Sequence, residues 1–213
     1  MSPLPRVPGY ELIEPLGGGP MTCVYAAREL ATDDRVAVKL PRPDWSDADT
    51  AFTLIRREAR AGLAVRHRHL IRVRAMSDDD PPFLVMDLLP GESLRQRLQR
   101  DYRLDPVTAL SATRQTAAAI AALHRQNFVH GDVKPENVRL VAPGAALLID
   151  LGFAHRPGEN AAFLDRGLIL GTANYLAPEQ CEANYDGDGR GDLFALGVTL
   201  FELLTGRLPY PPG

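Results

Sequence analysis

Residues 130–137 read HGDVKPEN, and this stretch decides how the rest of the chain is interpreted. It combines an acid, Asp132, with an amine, Lys134, and a carboxamide, Asn137, and a strand-like run downstream ends at a further acid, Asp150. A carboxylate can accept a proton, and carboxylate and amide oxygens are the ligands that Mg²⁺ prefers. Acid, amine, amide and acid in this order fit transfer of a phosphoryl group from a nucleotide, which depends on positioning and charge neutralisation.

The composition limits the class of protein. The chain has 213 residues, of which 45% are apolar, so it suits one domain or one bilobal domain. A net charge of −3 gives no basic excess for nucleic acid or a membrane surface. The two cysteines are far apart, residues 1–6 lack the apolar core of a signal peptide, and no apolar run is long enough for a membrane span. We expect a cytoplasmic protein or the cytoplasmic portion of a longer one.

Lysine is scarce in this chain. Lys and Arg total 24, yet Lys39 and Lys134 are the only lysines. A general drift towards arginine would replace any lysine whose role is only to be positive. A compact, rotatable ammonium differs from a guanidinium where phosphate must be contacted in a confined space. Both lysines are therefore candidate functional residues.

The first half of the chain reads as a strand-rich unit after an irregular leader, residues 1–9. A helix is predicted over residues 47–64, where apolar residues recur at spacings of three and four. The GGG at residues 17–19 could close over a phosphate, although such a run is more often a plain hairpin turn. Alternation and β-branched residues predict five strands, over residues 10–16, 23–27, 36–40, 70–76 and 83–88.

Lys39 and Glu58 each leave two interpretations open. Lys39 interrupts an apolar strand and could extend to solvent from an edge strand, although the scarcity of lysine argues against this. Glu58 lies beside the apolar stripe of the predicted helix, where an acid is costly without a partner. It either forms a buried pair with Lys39 or is solvated beside neighbouring arginines.

The second half reads as mainly helical after the break at residues 90–91. Helices are predicted over residues 93–100 and 105–126, and over residues 193–204, which are apolar on nearly all faces and are expected to be buried. Residues 186–192 begin like a calcium loop, but Arg190 stands where a ligand is needed. We interpret this segment as a surface loop.

Taken together, these motifs resemble those of protein kinases, most closely the bacterial eukaryote-like Ser/Thr kinases. The resemblance runs from about residue 10 to residue 211. It implies an α+β bilobal fold, with a five-stranded antiparallel sheet and one helix in an N-lobe (10–89) and a mainly helical, incomplete C-lobe (90–213). The matching motifs are the glycine loop at 16–25, VAVK at 36–39, Glu58, HGDVKPEN at 130–137, DLG at 150–152 and APE at 177–179.

The resemblance assigns a role to each candidate residue. Asp132 would accept the proton of the substrate hydroxyl, and Lys134 would neutralise charge on the transferred group. Asn137 and Asp150 would hold Mg²⁺. The residues implied to bind ATP are Leu16, Gly17, Gly18, Gly19, Val24, Ala37, Lys39, Glu58, Met86, Asp87, Leu89 and Arg139.

The chain also departs from the family pattern. Gly131 replaces the arginine that receives a phosphate from the activation segment, and residues 151–171 contain no Ser, Thr or Tyr. These two absences predict activity that does not depend on phosphorylation in that stretch. Arg139 replaces an aliphatic residue beneath the adenine, and Gly62 replaces a packing side chain, so the active arrangement is expected to be loosely held.

The chain stops soon after the apolar helix 193–204, whereas the family continues with further helices. The sequence therefore predicts an exposed apolar surface, covered by a partner or by a missing segment. The leading hypothesis is a Ser/Thr protein kinase that uses ATP and Mg²⁺ and acts on a protein hydroxyl. One alternative is a nucleotide-binding pseudokinase, scaffold or inactive truncated remnant. Another is a small-molecule phosphotransferase of kinase-like fold.

Overall fold

A computed structural model describes residues 4–160, 163, 170–182 and 187–210. The chain forms two compact units. The first comprises Met1–Leu63 and Arg72–Leu89, and the second comprises Ala64–Ile71 and Pro90–Gly213. The predicted boundaries at residues 9 and 89 stay predictions, and residues 1–3 and 211–213 lie outside the described residues. Within the described part of the chain, no helix is both long and apolar enough to cross a membrane.

A five-stranded antiparallel sheet in the order β1-β2-β3-β5-β4 forms the first unit together with one helix, α1 (Ala48–Ala64). All five predicted strands are present. β4 begins later than predicted because residues 69–71 form backbone hydrogen bonds with Leu148 instead. The strands are β1 (Tyr10–Gly18), β2 (Thr22–Glu29), β3 (Arg35–Pro41), β4 (Val73–Ser77) and β5 (Phe83–Asp87).

The sheet packs its apolar face around β3. β3 lies in the middle of the sheet and is buried from its second residue onwards, which explains why it reads as an apolar run. Tyr10 meets Phe83 edge to face across this core. Val7 is also buried there, although it belongs to the predicted irregular leader. The core cluster consists of Val7, Leu12, Ala27, Val36, Val38, Leu40, Phe83 and Val85.

The second unit contains three helices in its described part, α2 (Leu94–Asp101), α3 (Pro106–Arg125) and α4 (Arg190–Thr205). Asp105 caps α3 by accepting a hydrogen bond from the amide of Thr108. α3 packs against α4 and against a three-stranded sheet. The strands of that sheet are β6 (Glu92–Ser93), β7 (Val138–Ala142) and β8 (Ala145–Leu148). The predicted α+β class is confirmed.

α4 is not buried on every side. Leu203 and Val198 are buried, whereas Leu193 and Phe201 are 57% and 36% exposed. An apolar stripe therefore remains open along the helix. Whether a partner or a further segment covers it stays a prediction.

Gly91 provides a test of the packing of the second unit. Its φ is +81°, and a Cβ there would lie 1.9 Å from the carbonyl oxygen of Leu140. We expect Gly91→Ala to lower the free energy of unfolding by about 2–4 kcal/mol, because it adds a backbone clash to left-handed strain. Gly144→Ala, with φ +72° and open space around the site, is the matched control and should cost about 1 kcal/mol. Equal losses in urea denaturation would show that the clash is relieved without cost.

Candidate active site

The first unit contains a buried ion pair. Nζ of Lys39 lies 2.6 Å from Oε2 of Glu58, and the two side chains are 7% and 1% exposed. Because β3 is central, Lys39 cannot reach solvent along an edge strand. The structure therefore selects the buried pair from the interpretations that the sequence left open. β3 supplies the amine, and the inner face of α1 supplies the acid.

The glycine loop connects β1 to β2. Gly17 and Gly18 have φ values of +135° and +156°, and a Cβ on Gly18 would lie 2.3 Å from the carbonyl oxygen of Thr22. Gly18 is therefore needed for the chain to turn back on itself. Leu16 is half exposed, and Gly19 is exposed in the turn. The backbone of this loop is accessible, as phosphate binding would require.

The other predicted nucleotide-binding residues of this unit lie on neighbouring strands. Val24 is opposite Lys39, and Ala37 is opposite Met86. Ala37 and Met86 are buried, whereas Val24 is partly exposed. Asp87 ends β5, where its carboxylate accepts a hydrogen bond from Arg74, and Leu89 follows at the end of the unit.

In the second unit, the side chains of Lys134, Asn137 and Thr172 all bond to the carboxylate of Asp132. Oδ2 of Asp132 lies 2.7 Å from Nζ of Lys134 and accepts a 2.9 Å hydrogen bond from Nδ2 of Asn137. The hydroxyl of Thr172 donates to Oδ1 of Asp132 at 2.7 Å and accepts from Nζ of Lys134 at 2.6 Å. Asp132 is 5% exposed. Charge-assisted hydrogen bonds of this kind fix both the carboxylate and the ammonium.

Asn137 and Asp150 fit the chemistry of a magnesium site. The amide nitrogen of Asn137 donates to Asp132, which leaves Oδ1 as the oxygen that Asn137 can offer to a cation. The backbone amide of Ile149 donates to the carbonyl oxygen of Asn137 at 2.8 Å and so ties Asp150 to this loop. No group of three or more Cys, His, Asp or Glu side chains with metal-binding geometry occurs among the described residues.

Asp192 anchors the backbone at His130 and Gly131, directly before Asp132, and the sequence did not predict this role. Its carboxylate accepts hydrogen bonds from the amides of His130 at 2.8 Å and Gly131 at 2.9 Å. It also accepts a 2.8 Å hydrogen bond from the imidazole of His124. Asp192 is 2% exposed, so the surface-loop interpretation is wrong for this residue, while Asp186 lies outside the described residues.

The electrostatics of Asp192 follow from this environment. Burial by itself raises the pKa of the carboxyl. The hydrogen bond from His124, together with those from the amides of His130 and Gly131, outweighs burial and lowers the pKa below its usual value. One signal in the sequence pointed to this role, because an acid at the start of a strongly apolar helix must find donors if it is buried.

Gly131 occupies a position that suits glycine. Its φ is +79°, and a Cβ would lie 2.9 Å from the carbonyl oxygen of Phe153. The backbone turns at this position, where the amides of His130 and Gly131 both donate to the carboxylate of Asp192. The absence of a side chain at this position therefore relieves both backbone strain and crowding.

Arg139 lies on β7 and holds the chain where the second unit begins. Nε donates to the carbonyl oxygen of Pro90 at 2.9 Å, and Nη2 donates to that of Gly91 at 2.6 Å. Burial of the guanidinium lowers the pKa of Arg139. Its predicted contact with a nucleotide stays a prediction, and what is observed is the tether to residues 90–91.

Comparison with known proteins relates the chain to one family. The model of the protein kinase domain matches residues 10–213. Serine/threonine-protein kinase PrkC of Bacillus subtilis is 32% identical over 207 residues, which are 96% of this chain and 32% of PrkC. PknL of Mycobacterium tuberculosis is 35% identical over 196 residues, 92% of this chain and 49% of PknL. The chain thus spans about a third to a half of the length of these relatives.

The Lys39–Glu58 pair yields a prediction about stability. Lys39→Met leaves the carboxylate buried without its ammonium partner and should lower the free energy of unfolding by about 3–5 kcal/mol. The double variant Lys39→Met/Glu58→Leu should recover most of that loss, because no charge is left in the core. Denaturation with urea measures both. A double variant no more stable than the single one would contradict this account.

Asp192 yields a prediction about stability and pH. Asp192→Asn leaves a backbone amide without an acceptor and should cost about 1–3 kcal/mol at pH 7. Because the folded pKa is lowered, the wild-type contribution is present above the ordinary carboxyl pKa of 3.8 and is lost as the pH falls through the folded value. The difference in the free energy of unfolding between wild type and Asp192→Asn should therefore become smaller in acid. A difference that does not depend on pH in denaturation curves would exclude this role.

Proposed function

This chain belongs to the protein kinase family, and on that premise we propose that it transfers the γ-phosphate of ATP to a Ser or Thr hydroxyl of a protein. The observation that carries the proposal is the network around Asp132. A buried carboxylate beside an ammonium and a carboxamide provides a base, a counter-charge and a metal ligand on one short loop.

Each side chain has one role in this proposal. Asp132 orients the substrate hydroxyl and accepts its proton, while the ammonium of Lys134 neutralises charge that develops on the transferred oxygens. Lys39, held by Glu58, binds the nucleotide phosphates. The roof and edge of the adenine site come from strands β2, β3 and β5, and the accessible backbone of the glycine loop covers the phosphates.

Asn137 and Asp150 would hold Mg²⁺, which supplies charge neutralisation between nucleotide phosphates when it is bound. The protein contributes the placement of these oxygens. The hydrogen bonds of Asn137 to Asp132 fix the carboxamide in one orientation. The backbone bond between Ile149 and Asn137 keeps the two candidate ligands on adjacent segments.

We further propose that activity does not require phosphorylation between residues 151 and 171. That stretch offers no hydroxyl, and Gly131 offers no cation to receive a phosphate. The hydroxyl of Thr172 is already bonded to Asp132 and Lys134. A phosphate on Thr172 would place added negative charge against the Asp132 carboxylate and would be unfavourable.

The second candidate function is that of a nucleotide-binding scaffold without catalysis. It is favoured by the tether of Arg139, whose partly buried guanidinium replaces an aliphatic side chain. The complete set of Asp132, Lys134, Asn137 and Asp150 favours catalysis.

Phosphate transfer separates the two functions. With ATP–Mg²⁺ and a generic protein substrate, wild type should transfer the γ-phosphate, and Asp132→Asn should be slower by about 10²–10⁴-fold because the base is lost. Protein that carries no phosphate on residues 151–172, as shown by mass spectrometry, should be fully active. If wild type is no faster than the variant while ATP still raises its melting temperature, the scaffold function is correct. An essential phosphate on Thr172 would contradict independence from phosphorylation.

A further inference from the structure

The imidazole of His155 is buried in the second unit, where the residue is 3% exposed. His155 lies three residues after the DLG motif, and its backbone pairs with that of Val129. The amide of Val129 donates to the carbonyl oxygen of His155 at 2.8 Å, and the amide of His155 donates to the carbonyl oxygen of Val129 at 3.1 Å. The ring therefore starts from backbone that is bound to the residue directly before the HGDVKPEN stretch.

A hydrogen bond fixes the orientation of the His155 ring. Its Nδ1 lies 2.9 Å from the carbonyl oxygen of Phe153. Because a carbonyl oxygen can only accept, Nδ1 carries a hydrogen and donates it. The ring is thus held to the segment that follows DLG.

One edge of the ring lies against Gly131. A Cβ on Gly131 would be 3.4 Å from both Nδ1 and Cε1 of His155. The arginine that the family pattern places at residue 131 would therefore start directly against this imidazole. Glycine at 131 and histidine at 155 fit each other, because the ring borders the space that the absent side chain leaves.

The opposite edge of the ring lies against Gly187. This glycine is buried, its φ is +75°, and a Cβ there would be 2.7 Å from Nε2 and 3.1 Å from Cδ2 of His155. A side chain at residue 187 would overlap the imidazole, so only glycine lets the backbone lie directly against it.

Residues 187–192 therefore support the start of the HGDVKPEN stretch in two ways. Asp192 accepts hydrogen bonds from the first two amides of the stretch. Gly187 holds the imidazole of His155, which in turn packs against Gly131. The segment that begins like a calcium loop in the sequence thus has a packing role.

We propose that His155 is a positioning residue that fixes the backbone at Gly131, and with it the carboxylate of Asp132, a role that rests on the proposed kinase activity. The imidazole acts as a spacer between Gly187 and Gly131 and does not touch the reacting groups. This spacer requires no phosphate, which suits a chain without a hydroxyl in residues 151–171.

Steady-state kinetics with ATP–Mg²⁺ and a protein substrate test this role. His155→Ala removes the spacer and should lower kcat by about tenfold or more, because small displacements of catalytic groups are costly, while the KM for ATP changes little. His155→Asn keeps an N–H group that can donate to the carbonyl oxygen of Phe153 and should recover part of the lost kcat. An Asn variant as slow as the Ala variant would show that the bond to Phe153 does not contribute.

A double-mutant cycle tests whether Gly187 acts through His155. Gly187→Ala should displace the ring and lower kcat. Gly144→Ala, at φ +72° with open space around it, is the matched control for left-handed strain and should keep the kcat of wild type. In the His155→Ala background, Gly187→Ala should cause no further loss, because its Cβ then meets no ring. Additive losses would overturn the pairing of the two residues.

Hydrogen exchange provides a readout that needs no activity. In His155→Ala and Gly187→Ala, the amides of residues 129–133 should exchange faster than in wild type, whereas those of α3 should keep their rates. Unchanged exchange at residues 129–133 overturns the proposal whether or not the chain is active. If wild type transfers phosphate and His155→Ala is merely less stable with an unaltered kcat, the positioning role is wrong while the kinase function stands. A wild type without transfer contradicts the kinase function alone.

Discussion

The arrangement of the second unit depends on a buried carboxylate that binds backbone. Asp192 accepts the amides of His130 and Gly131, and its third partner is the imidazole of His124. A buried anion is tolerated only when donors surround it, so the chain before Asp132 is fixed to the start of α4. Asp132, Lys134 and Asn137 follow in the chain from that fixed point.

Both lysines are also paired in buried or largely buried networks. Lys39 is held by Glu58, and Lys134 is held by Asp132 and Thr172. In both cases the cation is a lysine, in a chain that otherwise uses arginine. Arg95 shows the opposite preference, because its planar guanidinium donates to Glu136, Glu202 and Tyr175 at once. Each cation type stands where its geometry is required.

Much of the fold could be predicted from the pattern of apolar residues. The strands and helices lie where alternation, spacing and caps placed them, because these signals act over short stretches of chain. The prediction was wrong where distant contacts decide. β4 starts late because residues 69–71 bond with Leu148. Leu193 and Phe201 are exposed on a helix whose predicted burial depended on a covering partner or further segment.

The sequence by itself determined the candidate chemistry, because Asp132, Lys134, Asn137 and Asp150 are chemical types whose order on the chain needs no coordinates. Only the tertiary structure decided that Lys39 and Glu58 form a buried pair, since position alone allowed a solvated glutamate equally well. It alone disclosed Asp192 and Arg95, whose partners are separated from them by 41 to 107 residues in the chain. Hydrogen-bond partners so far apart leave no local pattern, because their contact exists only once the chain has packed.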